Sequence, residues 1–501
     1  MNKFYITTAI PYVNAKPHIG FALEIVQTDC LARYRRLKGD DTYFLTGTDE
    51  HGVKLYKTAK EEGIPPQKFA DDNAEKFKAL KDLLALSNDD FIRTTSDLHK
   101  RGAQKLWSKL VEKGDIYKDK YVGNYCVGCE SYIANSDLVD GKCPNHDKAP
   151  EKLEEKNYFF KLSRYSDQIR KAIETDELLI LPKSRKQEML NIIGEGLPDI
   201  SFSRPKKILP WGITVPGDDD QVMYVWCDAL SNYITALGYA DDDEKVSRYW
   251  PADVHVIGKD ILRFHAGYWI GMLMSAGISI PKAIYVHGFI TSEGKKMSKS
   301  LGNVVDPVEY VEKYGVDSLR YYLLREIPTC DDGDFSKTRF EAIYDGELAN
   351  NVGNLFSRVC AMTEKYFDGK VPPATDGKDV VSEVATAHRE YHENFEKFDL
   401  KAALEAVLRL ADFANGYVEE NRPWELAKKD TNKLADVMYN LLEMLAHISY
   451  MLQPFIPNAA EKMFAQLSLT EQNFPAEDKW GILKEGSEIS KGEPLFPRLD
   501  S

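Results

Sequence analysis

A histidine and a glycine at a helix start, and a run of lysines and serines far along the chain, are the residues best suited to hold phosphate. The first group is Pro17-His18-Ile19-Gly20-Phe21-Ala22, where a β-prone run gives way to a helical pattern. A helix start offers free N–H groups to an anion, glycine lets a ligand approach the backbone, and His18 adds a side-chain donor. The second group is Gly294-Lys295-Lys296-Met297-Ser298-Lys299-Ser300-Leu301-Gly302-Asn303. Its lysines carry charge that a glycine-flanked loop can bring over a polyphosphate. Two unit charges about 4 Å apart interact by roughly 4 kcal/mol at an effective dielectric of 20, enough to matter to a reaction at phosphorus. A third group, Cys126-x-x-Cys129 followed by Cys143-x-x-His146, places three thiolates and an imidazole in two knuckle-like turns. That donor set suits tetrahedral Zn2+, and four protein ligands leave no open coordination position, so the metal is expected to be structural.

Positioning these groups requires a scaffold that joins distant parts of the chain. Residues 3–10 and 41–48 read as strands, and 19–37, 54–62, 66–84 and 97–113 as helices. The alternation stops after Gly114. Residues 115–217 hold short β-like pieces, the cysteine group and one helical stretch at 184–194. Strand–helix pairs return at 223–226 with 228–237 and at 254–257 with 260–276, and the run 283–290 leads into the lysine loop. This order predicts an α/β fold with a Rossmann-like parallel sheet, split by a zinc-bearing insertion, whose ligands lie at the carboxyl ends of strands. Asp306-Pro307-Val308-Glu309 has the N-cap, N1 proline and N3 glutamate of a helix start. From about Ser336 strand signals disappear, and 340–367, 384–398, 400–421 and 431–451 repeat apolar residues at helical spacing, which predicts an all-α helix bundle. The resulting division is 1–114 and 218–335 as two halves of the sheet domain, 115–217 as the connecting insertion, and 336–501 as the helical domain. The last 25 residues receive no role.

A chain of 501 residues is long enough for about three domains, each with its own core. With 43% hydrophobic and 29% charged residues and a mean hydropathy of −0.42, the composition is that of a soluble globular protein. No signal peptide and no apolar run approaching about 20 residues is read, so the expected location is cytoplasmic, without a membrane. A net charge of −14 argues against a DNA partner and confines any RNA contact to a local basic and aromatic surface. Seven cysteines, four of them scattered singly (Cys30, Cys227, Cys330, Cys360), argue against a disulfide framework.

His18-Ile19-Gly20-Phe21 paired with Lys296-Met297-Ser298-Lys299-Ser300 resembles the signature pair of the class I aminoacyl-tRNA synthetases. The second signature is matched in full; the first departs at its last position, where Phe21 stands in place of a histidine. Further stretches are Pro11-Tyr12-Val13-Asn14, Gly47-Thr48-Asp49-Glu50-His51-Gly52, Tyr224-Val225-Trp226-Cys227-Asp228-Ala229, Gly258-Lys259-Asp260-Ile261 and Asn421-Arg422-Pro423-Trp424-Glu425-Leu426. With the zinc knuckle and the helix bundle, they make essentially the whole chain similar to methionyl-tRNA synthetases of the bacterial type with one knuckle.

That resemblance implies ATP-dependent attachment of L-methionine to tRNA(Met) through a methionyl-adenylate, with Mg2+ accompanying ATP. It implies one structural Zn2+ on Cys126, Cys129, Cys143 and His146. It assigns ATP binding to His18, Gly20, Phe21, Lys296, Ser298, Lys299 and Ser300, with His18, Lys296 and Lys299 acting on the phosphates. It assigns a methionine pocket to Ile10, Tyr12, Asp49, Trp226, Ala229, Leu230, Tyr233, Ile261, Phe264, His265 and Trp269. There the polarizable thioether packs on aromatic rings, Asp49 is the counter-charge for the ammonium group, and Tyr233 and His265 are the polar groups near sulfur. Leu230 stands where some relatives have proline, a change not expected to alter substrate choice. In the bundle, Asn354, Arg358 and Trp424 are implied to read the anticodon, by edge contacts and base stacking. An insertion of about 100 residues is too small for the hydrolytic editing domain of synthetases for leucine, isoleucine or valine, which favours methionine. The alternatives are another class I synthetase, such as that for cysteine, or a tRNA-binding paralogue impaired by Phe21. Without the additional C-terminal dimerisation domain of some relatives, a monomer is expected.

Overall fold

The computed structural model describes residues 2–499, apart from 15, 130, 134–136, 145–146, 242, 296, 298–302, 379 and 476–478. Its central sheet has six parallel strands: β1 (Lys3–Thr8), β2 (Asp41–Thr48), β3 (Asp90–Arg93), β4 (Leu179–Leu181), β5 (Val254–Gly258) and β6 (Ala283–His287). Their order is β3-β2-β1-β5-β6-β4. β1 pairs with β2 from Lys3↔Asp41 to Thr7↔Leu45, and on its other side with β5 from Ile6↔Val254 to Thr8↔Val256. The strand order reverses between β1 and β5, so the crevice beyond their carboxyl ends is the natural ligand site. Successive β1 side chains enter opposite cores. Phe4 and Ile6 pack with helix α1 (Ile19–Leu37), while Tyr5 packs on the other face.

The elements expected at 19–37 and 41–48 match residue for residue, because long apolar periodicity and a buried strand of eight residues leave little choice. Three departures have identifiable causes. β3 was not expected, since four residues show too few alternations to register. β4 lies inside 115–217 yet pairs with β6 through Ile180↔Ile284, so this piece of the expected insertion belongs to the main sheet. The strand expected at 223–226 is absent: Asp218–Met223 is antiparallel within a separate three-stranded sheet, and the chain turns helical at Val225. A short apolar run there fits either element.

Three helices matter to the site: α2 (Asp97–Glu112), α3 (Val225–Leu230) and α4 (Asn232–Thr235), the last two separated by Ser231. α5 (Val316–Arg325) then leads into the bundle of α6 (Asn354–Phe367), α7 (Val381–Glu396), α8 (Leu400–Asn421), α9 (Pro423–Lys429), α10 (Thr431–Leu452) and α11 (Pro457–Gln466). The Asp306 side chain accepts from Val308 N–H at 2.9 Å, as its capping position predicts. α5 joins the halves of the molecule. Its fully buried Arg320 meets Asp29 of α1 at 2.8 Å and donates to the carbonyls of Pro454 and Phe455 at the α10–α11 elbow. One turn earlier, Asp317 accepts from Ala459 N–H at the start of α11. The C-terminal segment gains a place through Glu443 on α10, whose carboxylate accepts from the N–H groups of Gly481, Ile482 and Leu483 at 3.1, 3.0 and 2.7 Å. Among the described residues no helix is long and apolar enough to cross a membrane.

Inside the bundle, His388 of α7 and His447 of α10 share a hydrogen bond of 2.9 Å, and burial lowers their pKa values from 6.5 to about 4 and about 3. Both rings are neutral when folded, whereas in the unfolded chain they take up protons near pH 6.5. Their contribution is therefore intact above that pH and is lost as pH falls from about 6.5 toward 4, with a slope of up to about 2.7 kcal/mol per pH unit for two protons. Urea denaturation at pH 7.5 and 5 should show a smaller pH-dependent loss in His388→Leu/His447→Met than in wild type. Equal losses would mean that this pair does not set the acid sensitivity.

Candidate active site

The end of the crevice expected to hold phosphate is built on the first turn of α1. His18 is the N-cap, and its Nδ1 accepts from Gly20 N–H at 3.1 Å. A Cβ on Gly20 would lie 2.9 Å from the His18 ring, so glycine is what allows this cap. Crowding by the surrounding protein lowers the His18 pKa although the ring reaches solvent. Neutral, with Nδ1 accepting, the ring carries its proton on Nε2 and presents it outward. The free helix amides expected at this end are already engaged: Ile19 N–H bonds Val305 O at 3.1 Å, and the N–H groups of Phe21 and Ala22 bond His18 O at 3.0 and 3.2 Å. An anion here would therefore meet the helix dipole and side chains before it met free N–H groups. The partly buried Phe21 ring stacks edge-on against Phe77, with centroids 5.3 Å apart, so apolar packing absorbs it.

The lysine loop springs from a tight hairpin. Glu293 and Gly294 both have positive φ, 51° and 71°, and Ser292 bridges back to Lys295, as a primed turn requires. Asp334 fixes the turn by accepting from Gly294 N–H at 2.8 Å and from the Thr291 hydroxyl at 2.6 Å. Met297 packs against the α1 core. Lys296, Ser298, Lys299 and Ser300 lie outside the described residues.

Most of the expected pocket residues converge beside β1 and β5. The Trp226 and Phe264 rings stack face to face, 3.8 Å apart and within 3° of parallel. His265 and Trp269 belong to a π-wound turn, Phe264–Trp269, a distortion that re-aims side chains. His265 Nδ1 bonds Ile261 O at 2.9 Å, and a carbonyl can only accept, so Nδ1 carries the proton. Its Nε2 then accepts from the Tyr233 hydroxyl at 2.7 Å. Burial lowers the His265 pKa to about 4, so the ring is neutral at pH 7. Tyr233 also stacks on His255 at 4.1 Å and flanks Trp269. Ala229 and Leu230 are buried on α3, and Ile10 and Tyr12 are partly buried on the segment after β1. Asp49, buried just past β2, is held against that segment by Asp49 N–H to Pro11 O at 2.9 Å and Val13 N–H to Asp49 O at 3.3 Å.

Sequence reasoning gave no role to three buried polar groups around this pocket. Glu24 on α1 meets His287 Nε2 at 2.8 Å, while His287 Nδ1 bonds Gly288 O. Glu50 takes a bidentate contact from Arg93 at 2.7 and 2.8 Å and hydroxyls from Thr48 and Thr95. His51 and His99 both reach Asp228, at 2.7 and 2.8 Å. Each joins residues far apart in sequence. The one available signal was the presence of charged residues at strand ends in otherwise apolar surroundings.

The Sγ atoms of Cys126, Cys129 and Cys143 lie within 4.8 Å of one another, with Cys129 and Cys143 at 3.6 Å, and Cys129 N–H points to Cys126 Sγ at 3.4 Å. Three convergent thiols, one receiving a backbone donor, fit a soft divalent metal. The expected fourth ligand, His146, lies outside the described residues. In the bundle, the Arg358 guanidinium sits 5.3 Å over the Trp424 ring and pairs with Glu419 at 2.7 Å. Asn354 is exposed one turn earlier on α6, and Trp424 keeps 37% of its surface exposed.

Known proteins align with this architecture along its whole length. The family described as tRNA synthetases class I (M) matches residues 4–152 and 145–360, and the anticodon binding domain of methionyl tRNA ligase matches 370–501. A methionine–tRNA ligase of Caldanaerobacter subterraneus subsp. tengcongensis is 46% identical over 99% of this chain and 79% of its own length. One of Brucella suis biovar 1 is 43% identical over 99% of this chain and 98% of its own. The crystal structure of Mycobacterium tuberculosis methionyl-tRNA synthetase bound by methionyl-adenylate superposes with a TM-score of 0.94 at 38% identity, covering 99% of this chain and 100% of that one.

Removing the hydroxyl in Tyr233→Phe leaves His265 Nε2 buried without its donor. The expected loss is about 1–3 kcal/mol of stability, read by urea denaturation at pH 7.5. A change under about 0.5 kcal/mol would show that His265 finds another donor.

Proposed function

The chain belongs to the class I tRNA synthetases, in the methionyl-tRNA ligase family, and we infer from that membership that it attaches methionine to tRNA through a methionyl-adenylate. The observation that carries the reading on this chain's own residues is the cluster of aromatic rings around the neutral Tyr233–His265 pair. In the first step a methionine carboxylate oxygen attacks the α-phosphorus of ATP; the new P–O bond forms as the bond to pyrophosphate breaks. In the second, a hydroxyl of the tRNA's terminal adenosine attacks the acyl carbonyl and AMP leaves. Neither step needs a covalent enzyme intermediate, so positioning and charge stabilisation supply the catalysis.

Membership of that family supports the following residue roles. Asp49 is the counter-charge for the methionine ammonium group. The pocket of Ile10, Tyr12, Trp226, Ala229, Leu230, Tyr233, Ile261, Phe264, His265 and Trp269 encloses the side chain. His18 Nε2–H reaches a phosphate oxygen beside Gly20, and Phe21 contributes packing that keeps the α1 turn in place. We assign Lys296 and Lys299, with Ser298 and Ser300, to the departing pyrophosphate. Mg2+ enters with ATP and offsets the charge of its phosphates. Cys126, Cys129, Cys143 and His146 would hold one Zn2+, which ties the two knuckles of the insertion together. Asn354, Arg358 and Trp424 read the anticodon of tRNA(Met). In this reading 1–114 and 218–335 form the catalytic domain, 115–217 the insertion except for β4, and 336–501 the anticodon-binding domain of a cytoplasmic monomer.

Methionine-dependent exchange of pyrophosphate into ATP is the direct measurement. Wild type should exchange with methionine and not with cysteine, and Lys299→Ala should reduce the rate by about 100-fold or more. Phe21→His should not raise exchange, because Phe21 serves packing here; a large gain would identify the chain as an impaired paralogue. For the bundle, Trp424→Ala should raise the KM for tRNA in charging while exchange is unchanged. One stacked base is worth about 1–3 kcal/mol, or roughly 5- to 150-fold. An unaltered tRNA KM would remove Trp424 from anticodon reading.

A further inference from the structure

Asp228 is buried where three elements meet that no sheet pairing joins. It lies on α3 between Trp226 and Ala229. Its Oδ2 accepts from His51 Nδ1 at 2.7 Å and its Oδ1 from His99 Nε2 at 2.8 Å, and all three side chains are buried. His51 stands two residues past Asp49, and His99 is in the first turn of α2. His99 Nδ1 in turn meets the Thr235 hydroxyl on α4 at 2.8 Å. The approach of α2 to α4 depends on Gly102, where a Cβ would lie 2.4 Å from Thr235 Cγ2. From the insertion side, Trp211 packs on His51 at 5.4 Å and its Nε1 donates to Glu50 O at 2.6 Å. Burial would raise the Asp228 pKa, but the two histidines hold it at about 2, so it is ionised at any working pH.

We propose that Asp228 is a positioning residue for methionine, holding the Asp49 turn and the Trp226 wall in one register so that counter-charge and aromatic face meet the same ligand. The proposal rests on the methionine-activating reading above. A buried carboxylate is costly, and a purely structural one could be replaced by apolar packing with little loss. A positioning role has a different signature: its loss weakens one substrate and spares the other. Methionine is held by the elements that Asp228 joins, whereas the phosphates of ATP are held at α1 and the lysine loop, which it does not touch.

The test is steady-state pyrophosphate exchange with the full chain and three variants, with the KM for each substrate measured separately. Wild-type exchange establishes the reading itself; its absence would overturn that reading, and this proposal with it, whatever the variants do. Asp228→Ala should raise the methionine KM about tenfold or more and leave the ATP KM within about twofold. Asp228→Asn should recover the methionine KM to within about threefold of wild type, since its Oδ1 can accept from His51 and its Nδ2 can donate to His99 after a tautomer change. Thr235→Val frees His99 more gently and should raise the methionine KM by about threefold; it decides the matter if the alanine variant does not fold. Equal rises in both KM values, or an unchanged methionine KM with only less active enzyme, would overturn the proposal.

Discussion

β1 cannot complete its pairing until the chain has travelled to residue 254 and come back. The site depends on that return, because β1 lies between β2, its neighbour in sequence, and β5, and the crevice opens where the order reverses. His18 hangs from the end of β1 through α1, Asp49 from the end of β2, and the Phe264–Trp269 turn follows β5. The Phe264–Trp269 turn cannot face the same ligand as the other two unless the register Ile6↔Val254 is made. A slip of one residue would send Phe4 and Ile6 to the wrong core and carry both site segments with them. Long-range parallel pairing is slow to form, because its loop-closure entropy is paid before contacts reward it. Much of the apolar volume on both faces of the sheet serves to make this one alignment unique.

Around the crevice, several polar side chains pair with one another, while among the described residues Trp226 Nε1 is buried without a hydrogen-bond partner. Tyr233 bonds His265, His51 and His99 bond Asp228, Arg93 bonds Glu50, and Glu24 bonds His287. Such pairing has two effects. It meets the cost of burying polar atoms, and at His265, His51 and His99 it fixes which nitrogen carries the proton. The pocket is therefore set before a ligand arrives, which is the condition for electrostatic preorganisation. The same economy appears at the start of α1, where His18 occupies the amides that a phosphate could otherwise claim.

Elements with many residues of one period were legible in the sequence: α1, β2 and the bundle helices α6, α7, α8 and α10 appear where apolar spacing puts them. Their joints were not. β3 and β4 are too short to declare a period, and the run at 223–226 fits strand or helix equally. Within the site, residue types and local spacing pointed to His18, to the lysine loop and to the cysteine knuckle. The groups that hold them pair across the chain, as Asp228 does with His51 and His99. A single sequence contains no term for contacts of that kind. Resemblance supplied the rest and assigned Phe21 to ATP binding; its packing on Phe77 is a property of three-dimensional neighbours.

Arg320 gives the molecule a mechanical unity that its division into domains conceals. Its guanidinium is shared between a carboxylate on α1 and two carbonyls at the α10–α11 elbow. If the elbow loosens, the cation either loses two acceptors or gains water, and in both cases its grip on Asp29 changes; breaking a buried pair of this kind costs about 3–5 kcal/mol. The helix capped by His18 and the α10–α11 elbow are thus joined through one buried cation. Local opening at that elbow is registered, in free energy, along the helix that begins at His18.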